Sequence, residues 1–258
     1  MTELLELDAV SLHYGSLRAV DQVSLKIGPG ERHALIGPNG AGKSSLLGLI
    51  AGTLPCTSGR VLVGGEDLTS MPEHARARRG VTKTFQHSSV FLGLTVLDNI
   101  ELAVQRLQGV SHRALRSLDR FDSVWKSARE SLDAVHLAHR ANDLASELSH
   151  GERRQLEVAL ALALKPRLLL LDEPAAGMSS AESAALVRLV KSLPRTVTVL
   201  LIEHDLDMVF DLAEKISVLH AGKLIASGDA AEIRGSQVVQ DAYLGGANVE
   251  ALFEEDDG

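Results

Sequence analysis

At 258 residues the chain has room for one large domain, or a domain with a subdomain. Its net charge of −8 gives bulk electrostatics no support for a nucleic-acid partner. The single cysteine, Cys56, excludes an internal disulfide and fits a reducing compartment. Met1 leads at once into Glu3 and Glu6, so no signal peptide is read. Apolar runs such as Val158–Leu164 fall far short of the roughly 20 residues a spanning helix needs. The expectation is a soluble intracellular protein, able to dock on a membrane protein.

In chain order, Leu4–Leu12 and Ala19–Ile27 read as strands separated by His13-Tyr14-Gly15-Ser16, with a turn at Gly28-Pro29-Gly30. His33–Ile36 reads as a strand. A glycine-rich loop follows, and then a helix to Ala51 that stops at Gly52. Val61–Val63 is strand-like. His74–Arg79 carries Arg76, Arg78 and Arg79, which read either as a solvated basic helix end or as a binding patch. Val81–Phe85 is a strand ending at Gln86. From about 88 to 148 strand signals fade, and Val96–Leu107, Ala114–Trp125 and Ser127–Leu137 show helical spacing, which predicts a mainly helical insertion. The unbroken run Leu168–Leu171 suits a strand buried on both faces, as does Val197–Ile202. Ser183–Leu193 and Leu206–Ala213 are helical, and Ile216–Leu219 and Leu224–Ala226 flank a hairpin at Ala221-Gly222-Lys223. The tail Glu254–Asp257 is acidic and expected to be disordered. Alternating strands and helices give an α/β domain with a mainly parallel sheet.

The loop itself is Gly37-Pro38-Asn39-Gly40-Ala41-Gly42-Lys43-Ser44, the phosphate-binding pattern G-x-x-x-x-G-K-S in the strand–loop–helix context it requires. Glycines let successive backbone N–H groups turn inward as an anion nest, and the helix N-terminus adds unpaired donors. Lys43 supplies a full charge for the β- and γ-phosphates, and the Ser44 hydroxyl is placed for Mg²⁺. Ser45 is counted with the nucleotide-binding residues.

Two further stretches narrow the chemistry. Leu168–Glu173 is an apolar strand ending in two carboxylates. Asp172 would lie at the C-terminal sheet edge and reach the Mg²⁺ shell through water. Glu173, one residue on, suits a general base that polarises the attacking water. Leu148-Ser149-His150-Gly151-Glu152 opens a helix running from about Arg153 to Leu164. Ser149 and Glu152 form a capping box, which accounts for the pattern structurally, and the same helix end is an anion site.

Taken together, Gly37–Ser44, Leu148–Glu152 and Leu168–Glu173 resemble the phosphate loop, signature and acidic motif of the nucleotide-binding subunit of an ATP-binding cassette (ABC) transporter, over roughly residues 3 to 245. The resemblance implies a P-loop NTPase cassette with a mainly parallel sheet core, an N-terminal antiparallel β part and a helical subdomain. It divides residues 1–245 into a RecA-like core, about 1–87 and 149–245, and a helical subdomain, about 88–148, with residues 246–258 as an acidic tail. It implies ATP and Mg²⁺ as ligands, adenine stacking on Tyr14, a Gln86 that reaches Mg²⁺ and the attacking water, and a switch histidine in His204. It implies two subunits, identical or paralogous, that sandwich ATP so that Ser149 and Gly151 act in trans. The partners would be transmembrane permease subunits gripped by the helical insertion, with a possible substrate-binding protein. The place implied is peripheral, on the cytoplasmic face of the inner or plasma membrane.

Two departures stand out. The bulkier His150 occupies a position where the family pattern has glycine, and no acidic residue follows Glu173 within Ala175–Ser179. Thr84-Phe85-Gln86, Asp172–Met178, Glu203–Phe210 and Val239–Gly245 resemble the branched-chain or hydrophobic amino acid uptake ATPases, a group that includes urea and amide importers. His74–Gly80 also resembles the ATPase of lipopolysaccharide export. A non-transport ABC ATPase usually carries tandem cassettes or coiled-coil insertions, and a small-molecule P-loop kinase would leave Leu148–Glu152 and His204 without a part.

Overall fold

The computed structural model describes residues 3–84, 90–107 and 118–244. β1 (Leu5–Tyr14) and β2 (Leu17–Ile27) form an antiparallel hairpin in which Tyr14 pairs with Leu17, so the strands run further than the apolar pattern predicts. After β3 (Arg32–Ile36) and α1 (Lys43–Ala51), β4 (Ser58–Val63) returns antiparallel to β1, and β5 (Glu66–Asp67) completes a four-stranded sheet of order β2-β1-β4-β5. α2 (Glu73–Ala77) then leads into β6 (Val81–Lys83).

Arg76 resolves the basic stretch in an unforeseen way. It is buried, and its guanidinium donates to the carbonyls of Leu49, Ile50, Thr69 and Met71. Two of these are orphan carbonyls in the last turn of α1, so the guanidinium closes the C-terminal end of that helix. Arg78 and Arg79 are exposed.

Between β6 and the second half of the main sheet stand α3 (Val96–Leu107) and α4 (Leu118–Ala134). α4 is a single helix where the spacing predicts two; its i, i+4, i+8 stripe Val124, Ala128, Leu132 stays buried across the expected break. That stripe and Val96, Ile100 and Val104 of α3 pack with α5 (His150–Ala163) in one apolar cluster.

β7 (Leu168–Asp172), α6 (Ser180–Ser192), β8 (Thr198–Ile202), α7 (Leu206–Leu212), β9 (Lys215–His220), β10 (Lys223–Gly228), α8 (Ala230–Arg234) and α9 (Gln237–Leu244) complete the chain as described. The six-stranded sheet runs β10-β9-β3-β8-β7-β6, parallel except for the β9–β10 hairpin. The leucine run explains itself here. Leu168 and Leu170 face the cluster that holds α1 and the antiparallel sheet, while Leu169 and Leu171 face the cluster of α5, α6 and α7. A strand buried on both faces needs no polar alternation. The chain order sets the site: β3, β8 and β7 lie side by side, so their C-terminal ends deliver the phosphate loop, His204 and the two carboxylates to one sheet edge.

Candidate functional site

The phosphate loop leaves β3 at Gly37 and enters α1 at Lys43, with Gly42 left-handed at the N-cap (φ 103°). A Cβ at Gly42 would run into the carbonyl oxygen of Ala19, so both the dihedral and the space demand glycine there. Gly37 and Ala41 are buried, Asn39 and Gly40 are exposed and Pro38 is intermediate. The buried Lys43 donates from Nζ to the carbonyls of Gly37 (2.7 Å) and Pro38 (3.1 Å). Burial pulls its pKa down, opposed by the carboxylates of Glu173 and Asp172. Ser44 is exposed and Ser45 partly so in the first turn of α1. Tyr14 is 53% exposed at the end of β1, which rules out a core role for its ring.

Asp172 ends β7 with its side chain buried. Its Oδ2 lies 3.0 Å from Lys83 Nζ, although among the described residues neither carboxylate oxygen has a partner with hydrogen-bond angles. The distance is the better guide to charge balance, since Coulomb attraction does not depend on donor angle. Among the described residues Oδ1 has neither kind of partner. A buried, unmatched carboxylate oxygen fits a hard cation. Among the described residues no group of three or more His, Cys, Asp or Glu side chains could hold a metal, so such a cation would complete its shell with phosphate and water.

Glu173 follows in a left-handed conformation (φ 47°), uncommon for a residue with a side chain. Its N–H donates to Ile202 O (2.9 Å), and its Oε1 lies 2.6 Å from His204 Nε2. The structure therefore brings these two predicted residues into direct contact. Gln86 lies outside the described residues, as does the tail 246–258. Sequence reasoning missed Glu203. This buried carboxylate accepts from Ala175 N–H (2.8 Å) and His204 N–H (3.1 Å), and burial raises its pKa against those two bonds. Its one sequence signal is an acid emerging directly from an unbroken apolar strand.

The signature stretch forms the capping box read from its sequence. Ser149 Oγ accepts from Glu152 N–H (3.2 Å), and Ser149 N–H donates to Glu152 Oε2 (2.8 Å). His150 is turned back on its own subunit, with Nε2 3.3 Å from Ala176 O. Gly151 N–H donates to Glu182 Oε1 (3.1 Å). The other oxygen of Glu182 accepts from Ser179 N–H (2.9 Å) and Ser179 Oγ (2.8 Å), and these Ser179 bonds lead in lowering its pKa. The acid missing after Glu173 in the sequence is thus supplied to that loop from one turn into α6. No hydrogen bond among the described residues joins Ser149–Gly151 to the phosphate loop.

Residues 20–176 match the ABC transporter family. The chain belongs to the ABC transporter family. It is an ATP-binding cassette of the ATPase kind, and residues 223–248 also match the branched-chain amino acid ATP-binding cassette transporter family. The cassette is 36% identical to the high-affinity branched-chain amino acid transport ATP-binding protein BraF of Pseudomonas aeruginosa, over 95% of this chain and 98% of that one. The lipopolysaccharide export system ATP-binding protein LptB of Escherichia coli is 34% identical over 90% of this chain and 93% of its own. Among solved structures, the ADP conformation of the cassette MJ1267 superposes with a TM-score of 0.82 at 28% identity, covering 95% of this chain and 100% of that one. A dimeric post-hydrolysis cassette, MJ0796 bound to ADP and Pi, gives 0.72 at 25% identity, covering 87% and 98%. The α/β cassette with its antiparallel N-terminal sheet is therefore the fold the sequence predicts.

Within that C-terminal match, α9 returns to the phosphate loop. Tyr243 packs on the core beneath it and its phenol oxygen meets the backbone N–H of Gly37. Burial pushes this phenol up to about 12. Among the described residues no helix is long and apolar enough to cross a membrane.

Proposed function

We propose that this cassette hydrolyses ATP as one half of a dimeric clamp that energises a membrane importer of branched-chain amino acids or related small polar solutes, such as urea or amides. The observation that carries the hydrolysis reading is the 2.6 Å contact between Glu173 and His204 at the sheet edge that also bears Lys43. The backbone of Gly37–Gly42 binds phosphate oxygens, and Lys43 exchanges its carbonyl partners for the β- and γ-phosphates. Tyr14 offers an exposed ring face to adenine. Glu173 takes the proton of the attacking water, and His204 orients that carboxylate and meets the γ-phosphate. Ser44 and Asp172, with Gln86, would hold Mg²⁺, which when bound neutralises developing phosphate charge.

Among the described residues no hydrogen bond joins Ser149 or Gly151 to their own phosphate loop, which is compatible with an action in trans on the ATP of a facing subunit; the dimeric relative supports that reading. The core, about 1–87 and 149–245, would then carry nucleotide. The helical subdomain, about 88–148, would face permease subunits on the cytoplasmic side of the membrane, with a substrate-binding protein outside. The BraF likeness and the C-terminal match favour amino-acid uptake over export.

The test is ATP turnover by the cassette assembled with its permeases. Glu173→Gln should lower turnover by about 10² or more while ATP still binds, and Lys43→Ala should lose ATP affinity. Near wild-type turnover in Glu173→Gln would remove the general base from this account. Uptake of labelled leucine and of urea into proteoliposomes separates the substrate classes, and co-purification with lipopolysaccharide-export subunits would instead favour the LptB-like role.

A further inference from the structure

We propose that Glu203 is a positioning residue for ATP hydrolysis, whose carboxylate ties the loop bearing Glu173 to the loop bearing His204. The proposal rests on the hydrolysis reading above and adds a residue to which that reading gives no part.

The geometry is that of a two-ended strut. β8 is buried throughout, and the chain leaves it at a side chain that is still only 5% exposed. No ion pair to a cation is formed by that carboxylate among the described residues. Its two oxygens serve different segments instead. Oε1 takes the N–H of Ala175, just past Glu173-Pro174, and Oε2 takes the N–H of His204. A third tie, Glu173 N–H to Ile202 O, runs alongside. The side chains of Glu173 and His204 are themselves partly exposed, so packing alone does not fix their contact. It is held by the spacing of the two loops, and Glu203 sets that spacing.

Burial disfavours the ionised form of Glu203, and the nearby Glu173 adds repulsion. A position that only filled space would be better served by a neutral side chain. Glutamine is nearly isosteric but has one carbonyl oxygen, so it can serve one donor while its NH₂ opposes the other. Loss of the strut and loss of stability are therefore separable.

The experiment compares Glu203→Gln with wild type and Glu173→Gln in the assembled transporter, reading kcat, the KM for ATP and the melting temperature. The expected result is a fall in kcat of about tenfold or more, with KM within about twofold and a melting temperature unchanged or higher. Wild-type kcat, or a kcat loss matched by a raised KM and a lower melting temperature, would overturn the proposal. If Glu203→Gln does not fold, Glu203→Asp decides: a kcat loss at constant KM supports the strut, and wild-type kcat refutes it. Full turnover in Glu173→Gln would defeat the hydrolysis reading itself. An inactive Glu173→Gln beside a fully active Glu203→Gln would defeat only the role of Glu203.

Discussion

Replacing Arg76 by methionine tests whether the phosphate-loop helix is anchored at its far end. The guanidinium donates to the carbonyls of Leu49, Ile50, Thr69 and Met71. Methionine keeps most of the apolar stem but leaves these oxygens without that donor. At about 1 kcal/mol for each buried acceptor left bare, the low end of the usual range, the loss is roughly 4 kcal/mol. Relief of the desolvation of a buried cation offsets part of this, leaving ~3 kcal/mol. In a domain of this size that lowers the melting temperature by about 6–12 °C. Urea unfolding followed by circular dichroism measures the free energy directly, and thermal melting gives the shift. Arg78→Met and Arg79→Met, at exposed positions, should each change stability by less than about 0.5 kcal/mol. If Arg76→Met is equally mild, the anchoring argument is wrong and the stretch is the solvated basic helix end its composition suggests.

Three other outcomes are expected. Lys83→Met removes the cation paired with Asp172 and should lower the Mg²⁺ concentration that half-saturates ATP binding by about threefold or more, because in the proposed site Lys83 and Mg²⁺ would share one carboxylate; an unchanged or higher requirement contradicts this. Gly151→Ala places a Cβ 2.7 Å from Glu182 Oε1, so it should separate the signature helix from the Ser179 loop. It should impair hydrolysis by the dimer while single-subunit nucleotide affinity, read by titration calorimetry, stays within about twofold. Tyr243 keeps its proton in the folded chain to about 12, whereas an unfolded tyrosine ionises near its ordinary value of 10.0. The folded state then binds more protons between those values, so stability falls as pH rises through that window. Tyr243→Phe should flatten the decline, and identical wild-type and variant slopes would refute the burial argument.

How much of this was legible in the sequence depends on the range of the cause. Gly37–Ser44 and the Ser149–Glu152 cap are local: their residues meet neighbours within a few positions, so spacing alone specifies geometry. The four leucines of β7 are nearly as readable, since burial on both faces leaves one pattern. Arg76 was ambiguous because two of its four partners, Leu49 and Ile50, lie on a helix 27 and 26 residues earlier, and charge type does not reveal a buried carbonyl cluster. Glu203 was missed for the same reason, with one of its two partners 28 residues away. The break the spacing predicts between Trp125 and Ser127 does not occur, because Val124, Ala128 and Leu132 keep one buried face across it. His150 looked too large for its place until Ala176 showed where the ring turns.

The left-handed backbone of Glu173 has a consequence for how this chain would fare in a laboratory selection. A residue with a Cβ held there costs roughly 1–2 kcal/mol, and asparagine tolerates the conformation better than glutamate does. Asparagine would also remove one negative charge from beside Asp172 and Glu203. If Glu173 is the base proposed above, a library screened for heat resistance alone would therefore drift toward a sturdier cassette that grips nucleotide and does not turn it over. Only a screen that demands turnover in the same round would keep the glutamate.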